Sequence, residues 1–222
     1  MANVIKVRKK NGKWRMYVYF TDLNNCCPKY SHPLPRIDKL VDIIVGCEMM
    51  SLLYYFSGYH QIWMNLEDEE KMSFITPGGM YCYRRMPEGL RNTGPTFSRM
   101  TDEVFDEQKG KKLGAYVDDI VIKSDKKETH IQDLQETFEN LTKSGLKINP
   151  EKCIFGIKKG KLLGCLVSAR GIEANPKKIA AMMNKKPPAT KKQVHKLMGR
   201  IAALNRFITR SAKKGLPFFS IL

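Results

Sequence analysis

Two adjacent carboxylates, Asp118 and Asp119, interrupt an apolar run: Leu113-Gly114-Ala115-Tyr116-Val117 precedes them and Ile120-Val121-Ile122 follows. The β-branched and aromatic flanks predict two short buried strands, with Asp-Asp at the hairpin tip between them. Two anions held on one rigid turn are unfavourable unless a cation joins them. A hard divalent cation with oxygen ligands removes that penalty, and such a pair is half of a two-metal phosphoryl-transfer site. Asp is also a common residue of solvated turns, and on this stretch alone that is the simpler reading.

Charge narrows the partners. Of 222 residues, 39 are Lys or Arg and 22 are Asp or Glu, a formal net charge of +17. The basic residues cluster at 6–15, 109–112, 158–161, 177–192 and 206–214. One such run is commonly a hydrated face, but five point to a polyanion, nucleic acid above all. An anionic membrane surface is the competing partner. Against it, the chain has no aromatic-rich amphipathic anchor and no apolar run of membrane-spanning length. The first residues carry no extended apolar region, so no secretory signal is expected and the protein is placed in the cytoplasm or nucleus. The six cysteines, Cys26, Cys27, Cys47, Cys82, Cys153 and Cys165, form no Cys-x-x-Cys pair. Reduced, mostly buried thiols are expected rather than a structural zinc site. A hydrophobic content of 42% fits a globular chain of one large or two small domains.

Periodicity supplies the elements. Asn11-Gly12 predicts a hairpin over 4–20, with Arg8, Lys9, Lys10, Lys13 and Arg15 gathered around its turn. The proline-punctuated stretch 28–35 is expected to be extended or turning, 37–45 a short helix, and 50–59 a strand entering a turn. Pro77-Gly78-Gly79 marks a turn before a strand over 81–85. A helix over 96–108 presents Phe97, Met100, Val104 and Phe105 on one face. A second over 130–145 turns Leu134, Phe138 and Leu141 inward and ends at Gly145. A hairpin over 161–167 and 170–173 follows, then helices over 177–184 and 191–207. The last carries Val194, Leu197, Ile201 and Leu204 on one side. Strand, helix, hairpin, helix and strand predict an α+β fold, an antiparallel sheet backed by two helices.

These motifs, in order, resemble the reverse transcriptases, and most closely the Pol polyprotein of plant gypsy-type LTR retrotransposons. Tyr116-Val117-Asp118-Asp119 is similar to the polymerase signature. Trp14-Arg15-Met16-Tyr17-Val18-Tyr19-Phe20-Thr21-Asp22-Leu23-Asn24 resembles the fingers strand, and Ser57-Gly58-Tyr59-His60-Gln61-Ile62 the end of the first palm motif. Met86-Pro87-Glu88-Gly89-Leu90 with Asn92-Thr93-Gly94-Pro95-Thr96-Phe97 resembles the nucleotide-pocket segment. Leu163-Gly164, Asn175-Pro176-Lys177-Lys178-Ile179 and the segment from Gly199 to Phe207 extend the likeness over essentially the whole chain.

The resemblance implies a polymerase right-hand fold. Fingers would occupy 1–48 and 63–94, a palm of antiparallel sheet backed by helices 49–62 and 95–170, and a helical thumb 171–222. Fingers and thumb are both expected to be truncated. It implies RNA-directed DNA synthesis, a nucleotidyl transfer from dNTPs on a primed RNA or DNA template. Magnesium, or manganese in its place, would be held by Asp118 and Asp119. Arg15 matches the arginine that contacts nucleotide phosphates, Tyr59 the aromatic that checks the 2′ position, and Glu88 and Gly89 the nucleotide pocket.

The departures matter as much. The family's third metal-binding aspartate falls at Tyr54, whose phenol is neutral at pH 7. Rate loss of about 10³-fold or more is expected. Glu88 stands where relatives usually have Phe, which puts like charge beside a triphosphate. Tyr19 and Tyr30 also stand at positions where relatives carry Asp, each one base change away, a pattern of unselected drift. The expected protein is therefore an inactive or nearly inactive reverse transcriptase domain. The alternatives are a non-catalytic basic nucleic-acid-binding remnant and a non-functional pseudogene product.

Overall fold

A computed structural model describes residues 2–8, 12–163, 165–184, 187–202 and 204–219. Lys9, Lys10 and Asn11 of the predicted hairpin turn, Lys185 and Lys186 of the fourth basic cluster, and Gly164 and Ala203 of the later motifs lie outside them. Strands β1 (Asn3–Arg8) and β2 (Trp14–Tyr19) pair antiparallel from Asn3↔Tyr19 to Arg8↔Trp14. Helices α1 (Thr21–Cys26) and α2 (Ile37–Ile44) follow, then β3 (Met49–Tyr54). A 3₁₀ turn over Gly58–Gln61 leads to α3 (Leu66–Glu69) and the hairpin of β4 (Ser73–Thr76) and β5 (Gly79–Cys82). Helix α4 (Thr93–Val104), strands β6 (Leu113–Tyr116) and β7 (Asp119–Ser124), helix α5 (His130–Lys143) and β8 (Ile154–Ile157) complete the central unit. Beyond it lie a three-stranded meander, β9 (Lys159–Leu162), β10 (Cys165–Ser168) and β11 (Gly171–Glu173), and helices α6 (Pro176–Met183), α7 (Lys191–Ala202) and α8 (Ser211–Phe219).

The central sheet has the order β6-β7-β3-β8, every neighbouring pair antiparallel. Leu53, Leu113, Ala115, Ile120 and Ile122 cover one face, against Phe97 of α4, Phe105 at its end and Leu141 of α5. Met50, Leu52 and Val121 cover the other, against Leu40 and Ile44 of α2 and Leu162 and Val167 of the meander. Two helices on one face were predicted, but the sheet is buried on both. That is why β3, apart from Ser51, and the Ile120–Ile122 stretch of β7 read as continuous apolar runs rather than as alternation. Gly114 makes the second layer possible, because a Cβ there would collide with Leu40 Cδ1 on α2. Gly160 does the same for β9, where a Cβ would stand 2.6 Å from Ile157 Cδ1 and 2.9 Å from Leu52 Cδ1.

Several boundaries differ from expectation for local reasons. Helix α4 starts at Thr93, since Pro95 falls in its first turn, where a missing N–H is harmless. It ends at Val104, and the Gln108 carbonyl then accepts the N–H groups of Lys111, Lys112 and Leu113. Helix α5 buries His130, Asp133, Thr137 and Leu141, leaving Leu134 and Phe138 only partly covered against the core. The strand expected over 81–85 is β5, paired with the unforeseen β4. The strand expected over 161–167 is two strands, broken at Leu163 with φ of 48°. Helix α7 stops at Ala202, and a 3₁₀ turn over Asn205–Phe207 replaces its last turn. The thiols are not mostly buried: Cys47 is, whereas Cys26 and Cys82 are exposed on a short surface helix and an outward hairpin.

A polar chain runs through the core. Gly156 N–H donates to Ser51 Oγ (3.1 Å), which lies 2.7 Å from His130 Nε2. His130 Nδ1 lies 2.8 Å from Ser124 Oγ, which donates to Asp133 Oδ2 at 2.5 Å. Lys112 Nζ closes the chain, 2.9 Å from the same carboxylate. An ionised carboxylate only accepts, so Ser124 spends its hydrogen there and must accept from His130 Nδ1–H. Burial favours the neutral ring, in which Nε2 accepts from Ser51, and the chain binds β3, β7, β8 and α5 together. Burial lowers the His130 pKa. Burial would raise the Asp133 pKa, but hydrogen bonds from Ser124 and Lys112 outweigh it and hold it low.

A histidine whose folded pKa lies below its unfolded value contributes stability that is lost as pH falls through about 6.5, the unfolded value, toward the folded one. Asp133 acts in a separate window, below about 4. Denaturant unfolding at stepped pH is therefore expected to show stability falling below about pH 6.5 in the parent and a flatter profile in His130→Asn. Near neutrality His130→Asn is expected to be less stable by about 1–3 kcal/mol, the cost of a broken buried network. Parallel pH profiles for the two proteins would refute this assignment.

Candidate active site

The β6–β7 turn sets the chemistry. Tyr116 pairs with Asp119, so the turn residues are Val117 and Asp118 rather than the two aspartates. Val117 takes φ of 52°, a left-handed conformation costing a β-branched residue about 1–3 kcal/mol. Asp119 thus stays in its strand, directly opposite Tyr54 of β3. Side chains alternate, so Tyr54 and Asp119 share the face of Leu52 and Val121. Asp118 projects from the turn toward Gly58, where a Cβ would stand 2.8 Å from Asp118 Oδ1 and 3.0 Å from Phe97 Cζ. Gly58 is required by that close approach.

A cleft of about 840 Å³ opens over this turn. Arg15, Tyr54, Tyr59, Glu88, Asp118 and Asp119, all singled out from sequence, line it. Gly89 does not: it turns away with φ of 97°, and its carbonyl accepts from Asn24 Nδ2 at 2.8 Å. Asn24 Oδ1 in turn accepts from Arg91 N–H at 2.7 Å, so Asn24 of α1 clamps the segment carrying Glu88. Sequence reasoning gathered Lys13 with Arg15 at the hairpin turn but missed Phe56, His60, Tyr83, Asn149 and Lys152 as lining residues. It also missed Gln61, whose Nε2 donates to the Phe56 and Lys147 carbonyls (2.8 and 2.9 Å) and whose Oε1 accepts from Lys147 N–H (2.7 Å). That amide locks the turn bearing Gly58 and Tyr59. The motif around Tyr59 pointed near Gln61, but nothing local pointed to Lys152, which reaches the cleft from the loop before β8.

Burial raises the pKa of both Asp118 and Asp119. Glu88 adds to the effect at Asp118 and Asp118 adds to it at Asp119, while Lys152 pulls both down. Among the described residues neither carboxylate has a hydrogen-bond or ion-pair partner, so the pair is suited to one hydrated hard cation. Among those residues no third carboxylate, His or Cys joins them in a metal-binding group. Tyr54, the neighbour in the third position, has its phenol pKa raised by burial and by Asp119, and stays neutral. Tyr59 is pushed up to about 12 by burial, Asp118 and Glu88. Arg15 donates to Tyr17 Oη at 3.2 Å and lies 4.0 Å from Glu88.

The raised carboxylates have a stability consequence. Folded pKa values above the unfolded ones contribute stability that is present below about pH 4 and lost as pH rises through the raised values. Asp118→Asn with Asp119→Asn is therefore expected to melt higher than the parent near pH 7 without metal, with the gap closing toward pH 4. Magnesium should raise the melting temperature of the parent and not of the variant. A variant no more stable than the parent near pH 7, or equally responsive to magnesium, would count against a cation-seeking pair.

The reverse transcriptase (RNA-dependent DNA polymerase) family profile matches residues 7–200. The retrovirus-related Pol polyprotein of transposon opus from Drosophila melanogaster is 34% identical over 220 residues, 98% of this chain and 22% of that protein. That of Drosophila transposon gypsy is 31% identical over 212 residues, 96% of this chain and 20% of its own length. The chain thus spans about a fifth of those relatives. Among solved structures, a foamy viral protease–reverse transcriptase in complex with double-stranded DNA matches with a TM-score of 0.89 at 19% identity, over 99% of this chain and 38% of that one. A foamy viral protease–reverse transcriptase in complex with RNA/DNA hybrid matches at 0.87 and 18% identity, over 99% of this chain and 29% of that one. The fold is the polymerase right hand. With a profile over most of its length and relatives above 30% identity across nearly all of it, the chain belongs to the reverse transcriptase family, as the domain found in retrotransposon and retroviral Pol polyproteins.

Proposed function

We propose that this is a domain built for template-directed DNA synthesis from dNTPs on a primed template, in which that reaction is lost or severely impaired. The carrying observation is the register Tyr54↔Asp119, which sets a neutral phenol beside the carboxylate pair. In this reading 1–48 and 63–94 form the fingers, 49–62 and 95–170 the palm, and 171–222 the thumb. Asp118 and Asp119 would hold magnesium or manganese, which supplies Lewis acidity and charge neutralisation at the transferred phosphate. Arg15 faces the nucleotide's phosphates with a forked donor already engaged by Tyr17 and Glu88. Tyr59, held edge-on against Phe97 with ring centres 5.3 Å apart, walls the sugar side. The motif order supports a gypsy-type element; a plant source rests on sequence resemblance alone.

Nucleic-acid binding is inferred to outlast catalysis, because it rests on charge spread along the chain and not on one site. The likeness to polymerases captured with double-stranded DNA and with RNA/DNA hybrid supports this. No helix among the described residues is long and apolar enough to cross a membrane. We infer a place beside nucleic acid, in the cytoplasm or nucleus, from the chain's basic charge.

Single-nucleotide primer extension tests the reading. The parent is expected to be nearly inert, and Tyr54→Asp to gain at least about tenfold by restoring the third carboxylate. Glu88→Phe added to it should lower the KM for nucleotide. Robust extension by the parent would sink the proposal. Binding of a primer–template duplex, followed by anisotropy, should weaken by about 10³-fold or more between low and physiological salt for a handful of phosphate contacts. It should be indifferent to Tyr54→Asp. A flat salt dependence would rule out the distributed-charge mode.

A further inference from the structure

The cleft differs in charge from the molecule around it. Among its described lining residues Lys13, Arg15 and Lys152 face Glu88, Asp118 and Asp119, so the formal charges cancel within a chain of net charge +17. Three carboxylates repel a polyanion entering without metal, and the guanidinium that would greet it is shared between Glu88 and Tyr17.

Aromatic rings make up much of the remaining wall. Tyr17, Tyr54, Phe56, Tyr59 and Tyr83 all line the cleft. Phe56 is 55% exposed, so its ring is open to a ligand in the cleft. Its backbone is pinned, with its N–H on the Lys147 carbonyl (2.9 Å) and its own carbonyl accepting from Gln61 Nε2 (2.8 Å). Tyr59 is fixed at 87° to Phe97, and Tyr83 lies stacked with His60, 9° from parallel at 6.1 Å. Rings held in advance are stacking surfaces that lose little entropy on binding, and such surfaces accept any flat base.

We propose that, without metal, this cleft prefers an uncharged planar heteroaromatic, a nucleoside or the terminal base of a strand, over a nucleoside triphosphate. The inference deepens the reading of the cleft as a nucleotide site and rests on it. Phe56 and Glu88 set the preference, the first by stacking and the second by repelling phosphate. Magnesium on Asp118 and Asp119 would cancel the repulsion and leave the stacking unchanged.

Calorimetric titration of the whole chain with deoxyadenosine and with dATP, at one ionic strength with chelator and then with magnesium, tests this. With chelator, deoxyadenosine is expected to bind at least about fivefold more tightly than dATP, the equivalent of about 1 kcal/mol. Phe56→Ala should weaken deoxyadenosine by a similar factor with only a small change in melting temperature, because the ring is more than half exposed. Glu88→Gln should tighten dATP and leave deoxyadenosine alone. Magnesium should tighten dATP only. Tighter dATP than deoxyadenosine in chelator, or Phe56→Ala without effect on deoxyadenosine, would overturn the inference. Binding of dATP alone, and only with magnesium, would overturn it while the nucleotide-site reading stands. No binding of either compound under both conditions would overturn the two together.

Discussion

The antiparallel ladder between β3 and β7 aligns six residue pairs, from Met49↔Ser124 to Tyr54↔Asp119, and both core layers and the cleft floor depend on that alignment. Leu53 with Ile120 and Ile122 faces α4 and α5, and Leu52 with Val121 faces α2. A slip of one residue would exchange the two sets and carry Asp119 to the opposite side of the sheet. The buried chain from Ser51 through His130 to Asp133 guards against such a slip, because its donors and acceptors are all satisfied in one arrangement only. The core of the sheet and the position of the carboxylates therefore share one origin.

At the end of that ladder local preference gives way to the site. A two-residue hairpin turn favours Asn-Gly or Gly at left-handed positions, yet Val117 occupies one with φ of 52°. Two carboxylates stand side by side with raised pKa values and no protein partner among the described residues. Strain and uncompensated charge at one turn are the pattern expected where a surrounding fold enforces a geometry for binding. The cost is local, and the doubly covered sheet behind it carries the stability that tolerates it.

Much of this was legible in the residues. The hairpin flanking Asp118 and Asp119, the helices α2, α4 and α5, and the convergence of Arg15, Tyr59, Glu88 and the aspartates came from pattern and motif order. What was not legible had non-local causes. Residues buried on both faces lose the alternation that marks a sheet face, so the α2 layer was missed. Strands β4 and β8 are four residues each, too short for a periodic signal. The apolar part of α5's inner face, Leu134, Phe138 and Leu141, was legible and packs against the core, but its polar part was not: His130, Asp133 and Thr137 are also inside, while Ile131 is 78% exposed. Gly89 was placed in the pocket by motif, whereas its φ of 97° and the Asn24 clamp show a turn residue holding Glu88 in place. Lys152 and Gln61 are set by contacts across the fold, and no spacing in the chain encodes them.

Position 54 bears on how such a fold could outlive its chemistry under the function proposed above. On the face that Tyr54 shares with Leu52, a ring packs against the cluster of Leu40, Ile44 and Val121. An aspartate there would bring a third anion beside two that already lack partners, and it would bury no comparable apolar surface. Without metal, the tyrosine is therefore the easier residue for folding, even as it removes a ligand that phosphoryl transfer needs. The inferred nucleic-acid affinity would be insensitive to the exchange, because the cations it rests on lie on separate elements from β1 to α8. Stability and binding thus place no pressure on the third carboxylate, and only catalysis would preserve it. In the proposed reading, a change at this position that keeps the core and the carboxylate pair is the form that relaxed selection for catalysis would take in this architecture.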